Sequence, residues 1–201
     1  MKPRVSVIVA MLAVAVCVRL APYLLAQFGM SIDPERTTYP WNFSPMLPLC
    51  LFGGAFFARA RTAYLLPFAA WLLGDLGILA LTGRADWAFY PNQPLVYLSL
   101  ALVATTGFAL RGETSWTRVA GAGLASSVGF FVITNFGVWA FGDGVLYPKT
   151  LSGLVDCYVR AIPFFRNTLI SMAVFLPLLF SRVGLRNPAP IPLYRLASGR
   201  T

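Results

Sequence analysis

Residues 5–28, VSVIVAMLAVAVCVRLAPYLLAQF, decide what kind of protein this is. The run carries a single charge, Arg19. At about 1.5 Å of rise per residue, a helix of this length crosses the roughly 30 Å hydrocarbon core of a bilayer. It follows Met1-Lys2-Pro3-Arg4, as the core of a secretory leader would. It outruns the roughly 7–15 apolar residues of such a leader, however, and lacks a clean A-x-A cleavage site. Val14-Ala15-Val16-Cys17 looks like a lipoprotein cleavage box, but Val16 is too bulky for the position before the cysteine. The stretch reads as a retained transmembrane helix.

The rest of the chain has the same character. Of 201 residues, 58% are hydrophobic and 11% charged, with a mean hydropathy of +0.70. A soluble domain carries about 25% charged residues, so the main solvent here is lipid. Six apolar segments emerge: Val5–Phe28, Ser44–Ala58, Ala63–Leu81, Pro94–Leu110, Val119–Phe141 and Pro163–Ser181. The second is short, and Pro45 and Pro48 predict a kinked or tilted start. The sixth begins at Pro163, a residue suited to a first helical turn. The expected fold is an all-α membrane protein: one bundle of six transmembrane helices over residues 1–185, then a tail over 186–201 containing proline and arginine.

Basic residues cluster at the ends of the apolar runs. With the N-terminus inside, the cytoplasmic segments hold Lys2, Arg4, Arg59, Arg61, Arg111, Arg118, Arg182, Arg186, Arg195 and Arg200. The outer side holds Arg36, Arg84, Lys149, Arg160 and Arg166. This asymmetry predicts cytoplasmic termini and a multi-pass protein of the bacterial inner (cytoplasmic) membrane. The net charge of +9 therefore marks contact with membrane lipid rather than nucleic acid.

Little enzymatic chemistry is on offer. The chain has no histidine, seven acids, and three cysteines (Cys17, Cys50, Cys157) that form no C-x-x-C pair. No metal, no cofactor and no enzymatic activity are expected; a catalytic base would have to be Asp75 or Asp156. No G-x-x-x-x-G-K-[ST] stretch is present, so any ATP-driven work must come from partner subunits.

The outer loops are rich in aromatics. Residues 29–43 carry Trp41 and Asn42, residues 82–93 carry Trp87, and residues 142–162 carry Tyr147. These rings suit an interfacial belt or, equally, a lid over a pocket. In the last loop Leu151, Leu154, Val155, Tyr158 and Val159 follow helical spacing, with Thr150 as a plausible N-cap. This predicts an amphipathic segment in the last outer loop that either lies along the membrane surface or dips back among the other helices.

Charged groups inside a span are costly and mark function by default. Arg19 and Asp75 both lie roughly 18–21 Å above the cytoplasmic ends of their segments, and opposite charges at equal depth predict a pair facing the interior. The pair is either a clamp between two helices or part of a site. Asn135, Trp139, Arg166 and Asn167 fall in the same zone, which favours a small polar ligand reached from outside. In the first helix Ala10, Ala13, Cys17 and Ala21 form a stripe almost opposite Arg19. Small side chains admit a second helix closely, either a partner protein or a helix of this chain. Gly121, Ala125 and Gly129 form another stripe, expected to pack internally.

Several longer stretches carry a resemblance. They are Pro40-Trp41-Asn42-Phe43-Ser44-Pro45, Leu51-Phe52-Gly53-Gly54-Ala55-Phe56-Phe57, Gly74-Asp75, Thr134-Asn135-Phe136-Gly137-Val138-Trp139 and Ala161-Ile162-Pro163-Phe164-Phe165-Arg166-Asn167-Thr168. Together they resemble an uncharacterised family of small bacterial membrane proteins. That family in turn is similar to the substrate-binding S components of energy-coupling factor transporters. The resemblance implies six helices, an outward-facing site capped by loops, and a small-residue face on the first helix that docks a transmembrane coupling subunit with its ATPases. The metal-specific members use histidine, which this chain lacks.

The function these readings suggest is binding and uptake of a small, anionic or aromatic molecule. Arg19, Trp41, Asn42, Asp75, Trp87, Asn135, Trp139, Tyr147, Arg166 and Asn167 would contact the ligand, and Ala10, Ala13, Cys17 and Ala21 the partner. The arginines favour a carboxylate or phosphate. The alternative is a non-transporting membrane subunit that assembles or stabilises a larger complex.

Overall fold

The computed structural model describes residues 2–30, 42–112, 114–186 and 191. Trp41 and nearly all of the C-terminal tail lie outside the described residues. The described chain is helical apart from one short strand pair. In order it runs β1 (Lys2–Pro3), α1 (Val5–Gln27), α2 (Met46–Phe56), α3 (Ala60–Thr82), the single turn α4 (Ala85–Ala88), α5 (Gln93–Phe108), α6 (Trp116–Phe141), α7 (Leu151–Leu179) and β2 (Leu185–Arg186). Among the described residues, four helices, α1, α3, α6 and α7, are long and apolar enough to cross a bilayer.

The short helix α2 is the centre of the bundle. All of its residues from Met46 to Ala55 are buried, with Phe52 fully enclosed and stacked edge-on against Phe180 at 5.5 Å. A helix that is apolar on every side can only be satisfied by neighbours on every side. At 11 residues it is roughly 16 Å long, about half a hydrocarbon core.

Its tightest neighbour is α5. A Cβ at Gly54 would lie 2.0 Å from the Ala104 carbonyl oxygen, and one at Gly107 would lie 2.2 Å from that of Leu51. The two backbones touch because neither position has a side chain. Arg111 then closes the end of α2, donating Nε to Gly54 O at 2.7 Å and a terminal nitrogen to Phe57 O at 3.0 Å. Carbonyls at a helix C-terminus lack intrahelical donors, and a guanidinium supplies them.

Helix α7 departs from expectation. The amphipathic stretch does not lie apart in the last outer loop: it is the first part of one 29-residue helix that passes straight through Pro163. Thr150 does cap it, accepting from Gly153 N at 3.2 Å. Proline removes one ladder hydrogen bond but is tolerated in long apolar helices whose neighbours hold them in place. At roughly 43 Å the helix is longer than a hydrocarbon core is thick, so its amphipathic turns can stand in the interface.

The first and last described elements meet. Lys2–Pro3 pairs antiparallel with Leu185–Arg186, and Arg4 donates its backbone N to Gly184 O at 2.8 Å. The start of α1 and the end of α7 thus share one end of the bundle.

The small-residue stripes face outward. On α1, Ala10, Ala13 and Cys17 are exposed, and Ala21 is half-buried. The stripe on α6 overturns its expectation: Gly121 and Ala125 are exposed, and a Cβ at Gly121 or Gly129 would meet nothing within 4 Å. The inward small residues of α6 are Gly123, Ser126, Ser127 and Gly137 instead.

Candidate functional site

Arg19 enters the bundle from α1 and bonds the carboxylate of Asp75 on α3. Its guanidinium lies 4.0 Å from the ring centre of Trp71. Trp71 and Asp75 are four residues apart, so one face of α3 offers both the aromatic face and the anion. Gly74 opens the passage: a Cβ there would come within 2.5 Å of Arg19 Cδ. The sequence pair Gly74-Asp75 therefore works as a unit, one residue making room for the arginine and the next receiving it.

Asp75 is fully buried. Its second oxygen accepts from Gln93 Nε2 at 2.5 Å and from the Tyr97 hydroxyl at 3.3 Å, and Gln93 also donates to Ala88 O at 3.2 Å. A carboxylate taken out of water needs this many donors as well as a counter-charge. Sequence reasoning does not single out Gln93, Tyr97 or Trp71. Gln93 and Tyr97 did carry a signal, since two polar groups four apart share a face at the start of an apolar segment.

Two adjoining cavities open beside this network, of about 250 and 120 Å³, with Arg19, Asn42 and Trp71 in the walls of both. The larger has polar groups from three elements: Tyr90 and Asn92 before and at the cap of α5, Thr134 and Asn135 on α6, and Thr168 on α7. Its aromatic walls are Phe130 and Phe131 on α6 and Phe164 and Phe165 on α7. The spacing on α6 (130, 131, 134, 135, 138) is one helical face. Phe131 and Phe165 approach to 4.8 Å between ring centres, which zips the two helices together. Asn42 holds its place with a backbone φ of 65°, a left-handed conformation that asparagine tolerates better than most residues. Burial pushes the Tyr90 phenol above its ordinary pKa, and the neighbouring Arg19 partly offsets this.

Other expected contacts stand elsewhere. Trp87 packs on Tyr23 at 6.0 Å and lies under the Arg84 guanidinium at 4.5 Å, on the exposed surface. Arg84 is paired in turn with Asp86 at 2.6 Å, and that hydrogen bond holds the Asp86 carboxyl below its usual range. Trp139 donates Nε1 to Pro148 O at 3.0 Å and accepts Lys149 Nζ at its own carbonyl, so it ties down the loop that contains half-buried Tyr147. Arg166 is exposed and does not join the cavity wall, nor does half-buried Asn167. Helical geometry explains the case of Arg166: at about 100° per residue it points roughly 160° away from Thr168. The cavity thus unites Arg19, Asn42 and Asn135, with Asp75 held behind Arg19.

Among the described residues, no group of three or more His, Cys, Asp or Glu is placed to hold a metal. No curated protein and no solved structure matches the chain. A family model matches residues 1–191, and the chain belongs to the family it describes, a family of unknown function (DUF6580).

Proposed function

We propose that the protein is a membrane-embedded binding subunit for a small molecule, taken up with the help of partner subunits. The observation that carries this reading is the cavity of about 250 Å³, where one charged network, several amides and hydroxyls, and four phenylalanines converge among apolar helices. A pocket with a few convergent polar groups in an apolar wall is the usual form of a small-molecule site. A structural clamp between α1 and α3 needs Arg19 and Asp75 only, and leaves the amides of α6 and the loop without a purpose.

The topology that fits is six crossings with both termini in the cytoplasm of a bacterial cell. The meeting of β1 and β2 supports an even number of crossings, and the distribution of arginines supports the orientation. In the energy-coupling factor arrangement this chain binds ligand without catalysing a reaction, and a transmembrane coupling subunit with ATPases drives transport. The exposed stripe Ala10, Ala13 and Cys17 suits such a partner helix.

That same exposure favours a second reading, a non-transporting assembly subunit. One paired experiment separates the two. Protein extracted gently from its source is examined by native mass spectrometry for bound small molecules and subunits, alongside Asn135→Leu and Ala13→Leu variants. The uptake reading expects Asn135→Leu to lose the small molecule and keep the partners, with Ala13→Leu doing the reverse. If Asn135→Leu keeps every small molecule and loses partners, the assembly reading holds.

A further inference from the structure

We infer that the cavity takes an electroneutral, flat molecule that brings both hydrogen-bond donors and an acceptor, rather than an anion. The inference rests on the reading above that the cavity is a ligand site, and narrows it to a chemical class.

Charge is the first argument. Among the described residues Arg19 is the one cation in the cavity wall, and it is already paired with Asp75 and covered by Trp71. An anion that claimed Arg19 would strand a fully buried carboxylate, which is costly in an apolar interior. An anion that left the pair intact would find no further counter-charge among the described residues of the wall. A cation would meet Arg19 first. Only a neutral ligand avoids all three costs.

The hydrogen-bond inventory is the second. Thr134 and Thr168 donate their hydroxyls to the carbonyls of Phe130 and Phe164, at 2.7 and 3.1 Å. Asn135 donates Nδ2 to the carbonyl of Phe131 at 2.8 Å. Each bond leaves the side-chain oxygen to accept, and Asn135 also keeps its second N–H. The α6 and α7 walls therefore offer acceptors, while Arg19 Nε and Trp71 Nε1, buried in the same wall without a partner among the described residues, offer donors. The ligand that satisfies both carries a carbonyl-type oxygen together with N–H or O–H groups, as an amide does.

Shape is the third. Each of the two helices sets a pair of phenylalanines on the wall, which suits a planar ring system. A dry cavity of about 150 Å³ takes a benzene ring, so the present space of about 250 Å³ has room for a fused pair of rings with a substituent.

The test uses the full chain in lipid nanodiscs and four probes that share one naphthalene ring system: 2-naphthamide, N,N-dimethyl-2-naphthamide, 2-naphthoate and 2-naphthylmethylammonium. Binding is followed by quenching of tryptophan fluorescence. The amide should bind best, at least about tenfold more tightly than the naphthoate or the ammonium. The dimethyl amide, which has lost both donors, should bind about two- to tenfold more weakly per hydrogen bond. Asp75→Asn should unmask Arg19 and raise naphthoate affinity about tenfold. If the naphthoate binds best to the natural protein, or if folded Asp75→Asn protein gains nothing for it, the inference is overturned. Should that variant not fold, the four affinities of the natural protein decide. Equal binding of the amide and its dimethyl derivative also overturns it. No saturable binding by any probe would remove the ligand-site reading itself, an outcome distinct from the others.

Discussion

Asp75→Ala is the sharpest perturbation of this structure. The substitution removes the counter-charge of Arg19 and the acceptor of Gln93 and Tyr97 in one step. Breaking a buried ion pair from one side costs about 3–5 kcal/mol in soluble proteins. Two features reduce the figure here. Arg19 retains 19% side-chain exposure beside the cavity, so water can reach it, and Gln93 keeps its bond to Ala88 O. A net cost of roughly 2–4 kcal/mol follows, close to the translocon-scale cost of a lone charge in a span. For a chain of this size that is a fall of about 5–15 °C in Tm. The assay is thermal unfolding of purified protein in one detergent, followed by tryptophan fluorescence, over a double-mutant cycle with Arg19→Met. Arg19→Met should also destabilise, since it strands the carboxylate. The double variant Arg19→Met/Asp75→Leu should recover more than half of the loss. If each single variant unfolds within about 2 °C of the natural protein, the charges do not depend on each other and the argument fails.

Three more expectations follow from the packing. Gly74→Ala should cost about 1–3 kcal/mol, because its Cβ would meet Arg19 Cδ at 2.5 Å, and the loss should shrink when Arg19 is alanine. Gly54→Ala should prevent folding or lower Tm steeply, since backbone rather than side chain blocks the new Cβ. Gly121→Ala, with nothing within 4 Å, should be neutral or stabilise by up to about 1 kcal/mol; equal effects at the two sites would refute the α2–α5 contact. Single cysteines placed at Asp86 and Asp143 should react with an impermeant thiol reagent in intact cells, and those at Arg61 and Arg182 should not. Labelling at position 61 from outside would refute the six-crossing topology.

What the sequence determined by itself was the local chemistry. Apolar runs long enough to span a bilayer became α1, α3, α6 and α7, and Thr150 was legible as a cap. Arg19 and Asp75 could be paired because each is an isolated charge in an apolar run, and depth along a helix is simple arithmetic. Tertiary structure decided how each helix is rotated and what it touches. Nothing in the all-apolar α2 says that it is the hub, because no polar face marks an outside. The stripe Gly121, Ala125 and Gly129 looked internal and faces outward, while Ser126 and Ser127 turn inward. Arg166 lay at the right depth and on the wrong side, and Gln93 and Tyr97 reach Asp75 only because α5 is brought against α3. Pro163 looked like a beginning, yet neighbours carry α7 through it. The cause is common to all of these. In water, polarity separates inside from outside on every helix; in lipid the surroundings are as apolar as the core. The helical rotation is then set by side-chain fit and by a few buried polar contacts, and those exist only once the helices have met.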